Sequence, residues 1–399
     1  MGAVQVGAMA NASELVAQAA SLATLRIYQV SGNLQSPVPL PEFTASGLVP
    51  WQAPLQGGSN ATLLGFSAVC WIMGTTLQLE HLGPAIPVGL IHSSHGGTSI
   101  QAWQSPASPS CGDAPNSWNS SVLYNSNIHP LTLGPLALGG VYYYQGEQDC
   151  GIGATETYFR AQWWGCSIQA LIADWRAVLG SAQLFFVVQQ LHAWLHTDDI
   201  GLAVFRHAQN KALLMPRVAL STAFDGGDPA AAMAGSPGGT VHSHAKFIPG
   251  RRAAAAFAGA AYGLPVEYVN PAYRAATAAA VSNGTHTALT VRVTLAAPTP
   301  LVLRGWEPLS NSSHCPTERS VNASYCDWFA IQVNDSAFSW LNASVALSED
   351  GMGVVLSAVA PQPGLAVVAT RNGWSDWPVV TVYSQGGLPL ATWNKVLNE

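Results

Sequence analysis

Short apolar runs alternate with helical patterns through the chain up to Gly263. The runs are rich in β-branched and aromatic residues and are apolar on both faces, which is typical of strands buried in a parallel sheet. The runs lie at Leu25–Val30, Ile86–Ile91, Val141–Tyr144, Leu184–Val188 and Val218–Ser221, and the helical patterns at Ala61–Gln78, Ser167–Val178, Gly201–Met215 and Lys246–Tyr262. The alternation predicts an α/β domain whose mainly parallel sheet is covered by helices on both faces.

After Gly263 the pattern changes to short alternating runs separated by Pro, Gly, Asn and Ser. This is the pattern of a small all-β module. We expect the boundary at residue 268, so that residues 1–267 form the α/β domain and residues 268–399 form a β-sandwich-like module. Two Pro- and Ser-rich stretches of the first domain, Pro37–Pro54 and Ser105–Asn119, are predicted to be loops.

Two segments begin as apolar runs and break into glycines and polar residues, as when a buried strand ends and its loop carries chemistry. The first, from Gly89 to Trp103, reads Gly-Leu-Ile-His-Ser-Ser-His-Gly-Gly-Thr-Ser-Ile-Gln-Ala-Trp. The second, from Tyr142 to Asp149, reads Tyr-Tyr-Tyr-Gln-Gly-Glu-Gln-Asp, and a third short segment, Gly239-Thr-Val-His242, precedes the last helical pattern. Proteins built on a parallel sheet bind their ligands beyond the carboxyl ends of the strands, and all three segments fall there.

In this order the three segments resemble the sialate O-acetylesterase family, carbohydrate deacetylases of the SGNH-hydrolase superfamily. Ser67–Trp71, Ile128–Leu131 and Asp174–Arg176 also look like that family, and the resemblance extends from near residue 11 to near residue 390. It implies an SGNH-type three-layer α/β domain that removes O-acetyl groups from sialic acid or related acetylated sugars through a serine acyl-enzyme. The implied partner is an acetylated sugar or glycan, and the implied mechanism needs no metal or organic cofactor.

The nucleophile is the part of the family pattern that this sequence lacks. The family carries its serine in a Gly-Gln-Ser-Asn segment shortly before a stretch that resembles Asn11–Leu15, and no such segment occurs in the 399 residues. The expectation is that both this segment and a signal peptide, which Met1–Val6 does not provide, lie upstream of Met1. Ser93 and Ser94 are conceivable substitutes, but the family has small polar residues there that are not nucleophiles.

Ester cleavage by a hydroxyl also needs a base and a group that orients the base. The resemblance makes His242 the base, with His244 on the same segment as its rival. Many SGNH hydrolases place an aspartate three residues before this histidine, where this chain has Gly239. The orienting carboxylate must therefore come from elsewhere, and the leading candidate is Glu147. Asp225 and Asp228 are the alternatives. Both lie beside glycines, and a role in forming a turn explains each of them nearly as well.

The developing oxyanion needs hydrogen-bond donors. We expect them to be the backbone N–H groups of Gly96 and Gly97, helped by the side-chain amide of Gln145. Glycine pairs alone usually mark turns, but the resemblance to the family assigns this pair to the oxyanion site.

Aromatic side chains next to these segments are expected to line a sugar site, where flat rings stack on the substrate. The candidates are His95, Trp103 and Tyr144, and packing inside the domain is an equally good interpretation of each. His129 and Pro130 are expected to contact the residues that line the site and not the substrate itself. Asp174–Arg176 are expected to be structural.

Only 9% of the residues are charged, whereas average soluble domains have roughly 25%. Glycosylation offers another source of solubility, because eight of the seventeen asparagines begin an Asn-x-Ser/Thr acceptor site, namely Asn11, Asn60, Asn119, Asn283, Asn311, Asn322, Asn334 and Asn342. We therefore expect a secreted or lysosomal glycoprotein. The net charge of −6 argues against nucleic-acid and anionic membrane partners. The uncharged stretch Ala61–Leu79 is interpreted as a buried helix and not as a membrane span.

Six cysteines can pair in an oxidising compartment. Cys315 and Cys326 bracket a polar loop and are the first predicted disulfide. Cys111 and Cys166, which match family cysteine positions, are the second. Cys70 lies in an apolar helical pattern and is predicted to be a buried free thiol, and no cysteine spacing indicates a zinc site.

A second class of function fits the same sequence. A non-catalytic carbohydrate-binding relative would have lost the nucleophile segment and kept the cleft. The retained Gln145-Gly-Glu147 and His242 argue for catalysis, and labelling by a serine-reactive probe would distinguish the two.

Overall fold

A computed structural model of the protein describes residues 4–30, 34–115, 118–151, 154–194, 200–228, 239–304 and 329–397. The chain forms two units, each with its own internal contacts. The first unit comprises Met1–Trp194 and Ala208–Tyr268, and the second comprises Leu195–His207 and Val269–Glu399. The chain passes into the second unit after Tyr268, and the short segment Leu195–His207 also groups with that unit.

The first unit contains two three-stranded sheets. One has the order β2-β1-β3, formed by β1 (Leu25–Gln29), β2 (Val49–Gln52) and β3 (Val88–His92). β1 and β3 are parallel, whereas β2 is antiparallel to β1. β2 lies in a stretch that the sequence predicted to be a loop, and that prediction was wrong. Pro50 removes a backbone donor, and an edge strand that pairs on one side only tolerates this loss.

The second sheet is parallel throughout. Its order is β4-β5-β6, formed by β4 (Val141–Tyr143), β5 (Phe186–Gln189) and β6 (Val218–Ser221). All residues of β5 are buried, as expected for a central strand covered on both faces. The α/β class and the parallel strands predicted from the apolar runs are confirmed.

Seven α-helices of four or more residues occur among the described residues. They are α1 (Ala12–Ala19), α2 (Ala61–Leu64), α3 (Ala68–Thr76), α4 (His129–Thr132), α5 (Ala154–Val178), α6 (Gly201–Gln209) and α7 (Phe247–Ala256). α3 packs closely on β3, because a Cβ on its Gly74 would lie 2.4 Å from a methyl carbon of Leu90. A Cβ on Gly250 of α7 would lie 2.8 Å from a methyl carbon of Ile72 of α3, so these glycines let α3 pack tightly on both β3 and α7.

The uncharged stretch Ala61–Leu79 forms a broken helix, not the single one that the sequence predicted. The side chain of Ser67 accepts a hydrogen bond from the Cys70 N–H at 3.4 Å and caps the start of α3, which separates α3 from α2. After Thr76 the helix continues as a π-helical segment, Leu77–Leu82. No helix of the described residues has the length and apolar character to cross a membrane.

The second unit is built from antiparallel strands. Its sheets have the orders β11-β10-β14-β16, β12-β13-β8-β7 and β15-β9. The strands are β7 (Ala272–Ser282), β8 (Thr287–Ala296), β9 (Leu301–Leu303), β10 (Phe329–Val333), β11 (Trp340–Asn342), β12 (Ser344–Leu347), β13 (Gly353–Ala360), β14 (Val367–Asn372), β15 (Val382–Ser384) and β16 (Trp393–Val396). Residues of both four-stranded sheets, such as Val291 and Trp393, share one buried apolar cluster. The all-β character predicted for this region is confirmed.

One of the two predicted disulfides lies within the described residues. Cys111 and Cys166 are bonded to each other, which confirms that prediction. Cys166 lies on α5, so the bond ties the loop after β3 to this helix. The predicted pair Cys315–Cys326 lies outside the described residues. Cys70 takes part in no disulfide, as predicted, and is half-buried.

Candidate active site

The loop after β3 exposes two adjacent glycines at the carboxyl end of the strand. Gly96 and Gly97 are exposed, and Gly97 has a φ of +69° that favours glycine. A Cβ on Gly96 would meet no atom within 4 Å. The backbone at this point is therefore open to a ligand, which is the condition for the predicted oxyanion donors.

A buried hydrogen-bond network joins this loop to the one after β4. The carboxylate Oδ2 of Asp149 accepts hydrogen bonds from the Ile100 N–H at 2.8 Å and from Nε2 of Gln145 at 2.7 Å. Gln145 Nε2 also donates to the Thr98 carbonyl at 2.9 Å, and Trp164 Nε1 donates to Gln145 Oε1 at 2.9 Å. We call these five residues the loop clamp. It fixes the glycine pair relative to the Gln-Gly-Glu segment.

The loop clamp bears on the predicted role of Gln145. A side-chain amide has two N–H donors, and here they point to Thr98 and Asp149. This arrangement favours a loop-holding role for Gln145, so that the oxyanion would be met by the backbone of Gly96 and Gly97. Burial raises the pKa of Asp149 to about 6, against the opposing hydrogen bonds from Ser99, Ile100 and Gln145.

Glu147 lies in the same turn as Asp149 but in a different environment. Its Oε1 is buried and has no hydrogen-bond partner among the described residues. Burial raises the pKa of Glu147, while positive charge, that of Lys246 included, and a hydrogen bond from its own backbone N–H act in the opposite direction. An unsatisfied buried acceptor costs free energy unless a ligand or a second residue meets it. Glu147 is therefore placed to receive a donor.

The two aspartates proposed as alternatives to Glu147 have partners already. Asp225 accepts two short hydrogen bonds from the guanidinium of Arg252, at 2.6 and 2.7 Å. Asp228 accepts the His244 N–H at 2.9 Å, and its carboxylate lies 3.5 Å from Nδ1 of the same histidine. The structure thus pairs Asp228 with His244 and Asp225 with an arginine, and it favours Glu147 as the carboxylate with an acceptor to spare.

The two candidate bases lie on neighbouring turns. His242 ends a short 3-10 helix, Gly239–His242, and is half-buried. His244 follows two residues later and is 35% exposed in its side chain. Lys246 then begins the turn into α7 and is 2% exposed. The segment that carries both histidines also reaches the loop after β4, because Lys246 Nζ lies 5.7 Å from the centre of the Tyr144 ring.

The predicted sugar-binding residues differ in how open they are. Trp103 is 6% exposed and its Nε1 donates to Thr98 Oγ1 at 3.0 Å, which favours the packing interpretation for this residue. Tyr144 is half-buried, and its hydroxyl is 2.9 Å from Nδ1 of His192. His95 is half-buried and lies edge-on to Trp118, with ring centres 6.2 Å apart. Of the three, His95 and Tyr144 keep surface that a substrate could reach.

The supporting residues named from the sequence also have identified contacts. His129 Nδ1 lies 2.9 Å from the Leu40 carbonyl oxygen, which fixes the ring. Asp174 accepts the Ser105 N–H at 2.7 Å, and Arg176 donates to the Leu184 carbonyl at 3.0 Å. These two side chains of α5 hold loops, which agrees with a structural role.

Sequence reasoning missed two histidines at the carboxyl ends of strands. His92 ends β3, and its Nε2 lies 2.8 Å from Oγ of Ser94 while burial lowers its pKa to about 4. His192 follows β5 and is 2% exposed. The signal that could have found them is their position, since each directly follows or ends an apolar run. A neutral, weakly basic His92 makes Ser94 a poor nucleophile, so its hydroxyl is better explained as a partner that satisfies the buried ring.

Open glycines and a carboxylate with an unpartnered oxygen thus lie in loops that follow parallel strands, where α/β proteins bind their ligands. Residues 59–231 match the family model described as carbohydrate esterase, sialic acid-specific acetylesterase. The matched region contains the glycine pair and the Gln145–Glu147 segment that the sequence motifs singled out. Among the described residues no group of three His, Cys, Asp or Glu side chains is arranged to hold a metal ion.

Curated relatives and a solved structure agree with this family. The chain is 32% identical to human sialate O-acetylesterase over 195 residues, which are 44% of this chain and 34% of the human protein. It is 27% identical to mouse sialate O-acetylesterase over 293 residues, 59% of this chain and 50% of the mouse protein. The chain therefore spans half or less of these relatives' length. The crystal structure of a carbohydrate acetylesterase from Xanthomonas citri superimposes with a TM-score of 0.70 at 25% identity, covering 98% of this chain and 77% of that one.

Proposed function

We propose that the protein hydrolyses O-acetyl esters of sialic acid or of related acetylated sugars. The observation that carries this is the loop clamp, which ties the loop of the open Gly96–Gly97 backbone to the segment that contains Glu147, within the region that matches the carbohydrate esterase model. A carbonyl oxygen seated at the glycine pair would have its developing charge met by backbone N–H groups. The acetyl group is the part of the substrate that this site recognises.

In the proposed mechanism a serine hydroxyl attacks the acetyl carbonyl and His242 takes its proton. As the ester C–O bond breaks, the same imidazolium gives the proton to the departing sugar oxygen, which leaves as a hydroxyl, and water then releases acetate by the reverse route. Glu147 orients His242 and stabilises its positive charge. The serine is not assigned to a residue, because the 399 residues contain no Gly-Gln-Ser-Asn segment.

The direct test is hydrolysis of O-acetylated sialic acid and of 4-nitrophenyl acetate, with acetate release as the readout. In protein that includes the nucleophile segment, His242→Ala should lower the activity by several orders of magnitude, on the scale of losses seen when a triad member is removed. His286→Ala is a matched control, because His286 lies in the turn between β7 and β8 of the second unit. Turnover that survives His242→Ala would assign the base elsewhere, with His244→Ala as the next variant.

The missing serine segment favours a second candidate, a relative that binds acetylated sugars without turning them over. A fluorophosphonate probe separates the two, since it labels only an activated serine. Labelling that His242→Ala abolishes supports the esterase. Absence of labelling and of acetate release, together with binding of an O-acetylated sugar in calorimetry, would replace it with the binding protein.

We further propose that the protein passes through the secretory pathway. The six acceptor asparagines among the described residues are all at least partly accessible, and five of them, Asn60, Asn119, Asn283, Asn334 and Asn342, are exposed. The disulfide between Cys111 and Cys166 supports the same oxidising route. Enzymatic removal of N-glycans from the native protein should lower its mass, and an unchanged mass would contradict the proposal.

A further inference from the structure

The sheet β2-β1-β3 has two unlike faces. Ile27 of β1 and Leu90 of β3 lie on one face and are 0% and 4% exposed, and Leu90 packs on α3. Side chains alternate along a strand, so the next residue pair in the same register, Tyr28 and Ile91, lies on the opposite face. Both of these residues are only half-buried. The second face of the sheet is therefore incompletely covered.

Three aromatic rings gather on this second face. The centre of the Tyr28 ring lies 5.4 Å from that of Trp51 and 5.9 Å from that of Phe43. Trp51 of β2 is 48% exposed, and a Cβ on Gly89 of β3 would lie 3.1 Å from its indole. Because β1 lies between β2 and β3, the indole extends across the sheet, and the glycine leaves room for it.

The three rings line an open cleft with a volume of about 380 Å³, a size in the range of roughly 300–1,000 Å³ that is typical of small-molecule sites. We call it the aromatic cleft, and residues between Pro130 and Leu136 line it as well. The two chain segments are tied together, since Nδ1 of His129 lies 2.9 Å from the carbonyl oxygen of Leu40, in the loop that carries Phe43. The cleft is thus part of the folded domain and not a gap between loose loops.

The chemistry of the aromatic cleft fits an uncharged sugar ring. None of the nine described residues that line it carries a charge, and their polar side-chain groups are the hydroxyl of Tyr28 and the indole N–H of Trp51. A pyranose has the complementary surface, with C–H bonds on its faces and hydroxyls at its edge. The faces of aromatic rings are electron-rich and attract C–H groups. A carboxylate would lose hydration here without meeting a cation among the lining residues.

The aromatic cleft lies close to the candidate active site along two strands. Ile91 directly precedes His92, the last residue of β3, and Gly96 follows five residues after Ile91. Five residues span at most about 18 Å, a distance that a few linked sugar rings can bridge. Tyr28 likewise precedes Gln29, whose Oε1 lies 3.4 Å from Nδ1 of His92. One glycan can therefore reach both places.

We propose that the aromatic cleft is a subsite for an uncharged sugar ring of the same glycan whose O-acetyl group lies at Gly96 and Gly97. The protein then acts on acetylated sugars as part of an oligosaccharide or polysaccharide and binds them more tightly than the free monosaccharide. This statement about the substrate rests on the proposed esterase function. Sugar binding in the cleft does not, because it follows from the residues that line it.

Binding can be measured on the full chain without any turnover. The probes are xylotetraose and lactose, which represent the uncharged rings of a polysaccharide backbone and of the core of a sialylated glycan. With 15N-labelled tryptophan the chain has fourteen indole N–H groups, and the NMR signal that is missing in Trp51→Phe belongs to Trp51. Sugar at about 10 mM, roughly ten times the Kd of a millimolar complex, should shift this signal with at least one probe, and the probe that succeeds identifies the source.

Two controls accompany this measurement. Trp340 of the second unit is half-buried and lies 4.4 Å from the guanidinium carbon of Arg371, and its signal, assigned in the same way, should not move. The second control is a variant pair followed by saturation transfer to the sugar. Trp51→Ala should weaken binding about tenfold, the scale of one lost aromatic contact, whereas Phe159→Ala, which removes a 61% exposed ring from α5, should leave it unchanged.

A Trp51 signal that neither sugar shifts would overturn the proposal, and so would undiminished binding in folded Trp51→Ala. A shift that octanol causes and neither sugar causes would also overturn it, because the cleft would then bind an alkyl chain. If Trp51→Ala does not fold, the shift of the Trp51 signal in the wild type still decides the question.

A kinetic measurement links the cleft to catalysis in protein that includes the nucleophile segment. The ratio of kcat/KM for the O-acetylated form of the bound sugar to kcat/KM for 4-nitrophenyl acetate should fall about tenfold in Trp51→Ala, through KM, because only the sugar reaches the cleft. If the Trp51 signal shifts but no acetate is released, the sugar subsite stands and the esterase function fails. If acetate is released but Trp51→Ala changes neither binding nor this ratio, the esterase stands and the subsite fails.

Discussion

Two acidic side chains in one turn, the buried Asp149 and the half-buried Glu147, differ in the hydrogen bonds that their carboxylates accept. Asp149 accepts hydrogen bonds from the Ile100 N–H and from Gln145, and the positive charge of Arg160 also acts on it. Glu147 has an oxygen with no hydrogen-bond partner among the described residues and a cation nearby. The difference separates two uses of a buried acid. Hydrogen bonds to Asp149 hold two loops together, whereas Oε1 of Glu147 can still accept a hydrogen bond from a donor that arrives with the reaction.

The largest expected effect is on stability and falls on Asp149. Asp149→Ala leaves the Ile100 N–H and a Gln145 N–H buried without acceptors, which should lower the free energy of unfolding by about 4 kcal/mol. Glu147→Gln should change it by about 1 kcal/mol, because the lost attraction to Lys246 is partly offset by the removal of a buried charge. Urea unfolding followed by circular dichroism measures both. Equal losses in the two variants would show that the two acids have the same structural role.

The pH dependence of stability should identify Asp149 as well. Its pKa is raised from 3.8 to about 6 in the folded state, so its contribution to stability is fully present below the unfolded value and is lost as pH rises through about 6. Asp149→Asn mimics the protonated acid and should lack this loss. The stability of wild type relative to Asp149→Asn should thus fall by up to about 3 kcal/mol between pH 4 and pH 7.

That comparison is made by urea unfolding of both proteins at several pH values. Because the other titrating groups are shared, their contributions cancel in the difference. A difference that is flat with pH would mean that Asp149 ionises as easily in the folded as in the unfolded chain, and the contrast with Glu147 would then have to be drawn from hydrogen bonds alone.

Glu147 should matter more for activity than for stability. Glu147→Gln retains the shape of the side chain but cannot stabilise a charged imidazole, so acetate release should fall about 100-fold, equivalent to roughly 2.7 kcal/mol. Asp149→Asn, which retains an acceptor for the loop clamp, serves as the matched variant and should lose less than 10-fold. If the two losses came out reversed, Asp149 would be the group that acts on the base.

The sequence predicted the strands better than the helices, for a physical reason. Val218–Ser221 was predicted with its observed bounds, because a buried parallel strand is a short continuous apolar run. α5 begins at Ala154, well before the predicted start at Ser167. Between Ala161 and Arg176 the exposed residues are Gln162, Cys166 and Ala173, which lie on one face at helical spacing. Only one of the three is strongly polar, so the sequence shows no polar stripe that would reveal the helical periodicity.

The site residues also fall into a group that the sequence could predict and a group that it could not. Gly96, Gly97 and Glu147 could be named because they belong to contiguous motifs. The residues that contact these motifs could not be named, because they come together only in the folded chain. Asp149 accepts the N–H of Ile100, 49 positions away, and Lys246 reaches the ring of Tyr144. Burial of a lysine is a property of packing, and no local pattern around Lys246 indicates it.

The smallest effect tests how far the loop clamp extends. Trp164 is fully buried and donates to Gln145 Oε1 at 2.9 Å. Trp164→Phe leaves that oxygen without its donor and removes part of the indole, and we expect the free energy of unfolding to fall by about 2 kcal/mol. The neighbouring Trp163→Phe removes the same volume. A larger loss in Trp164→Phe isolates the hydrogen bond, and its size relative to Asp149→Ala shows whether Gln145 is held mainly by the carboxylate. Equal losses in the two tryptophan variants would assign the effect to packing and would limit the clamp to Thr98, Ile100, Gln145 and Asp149.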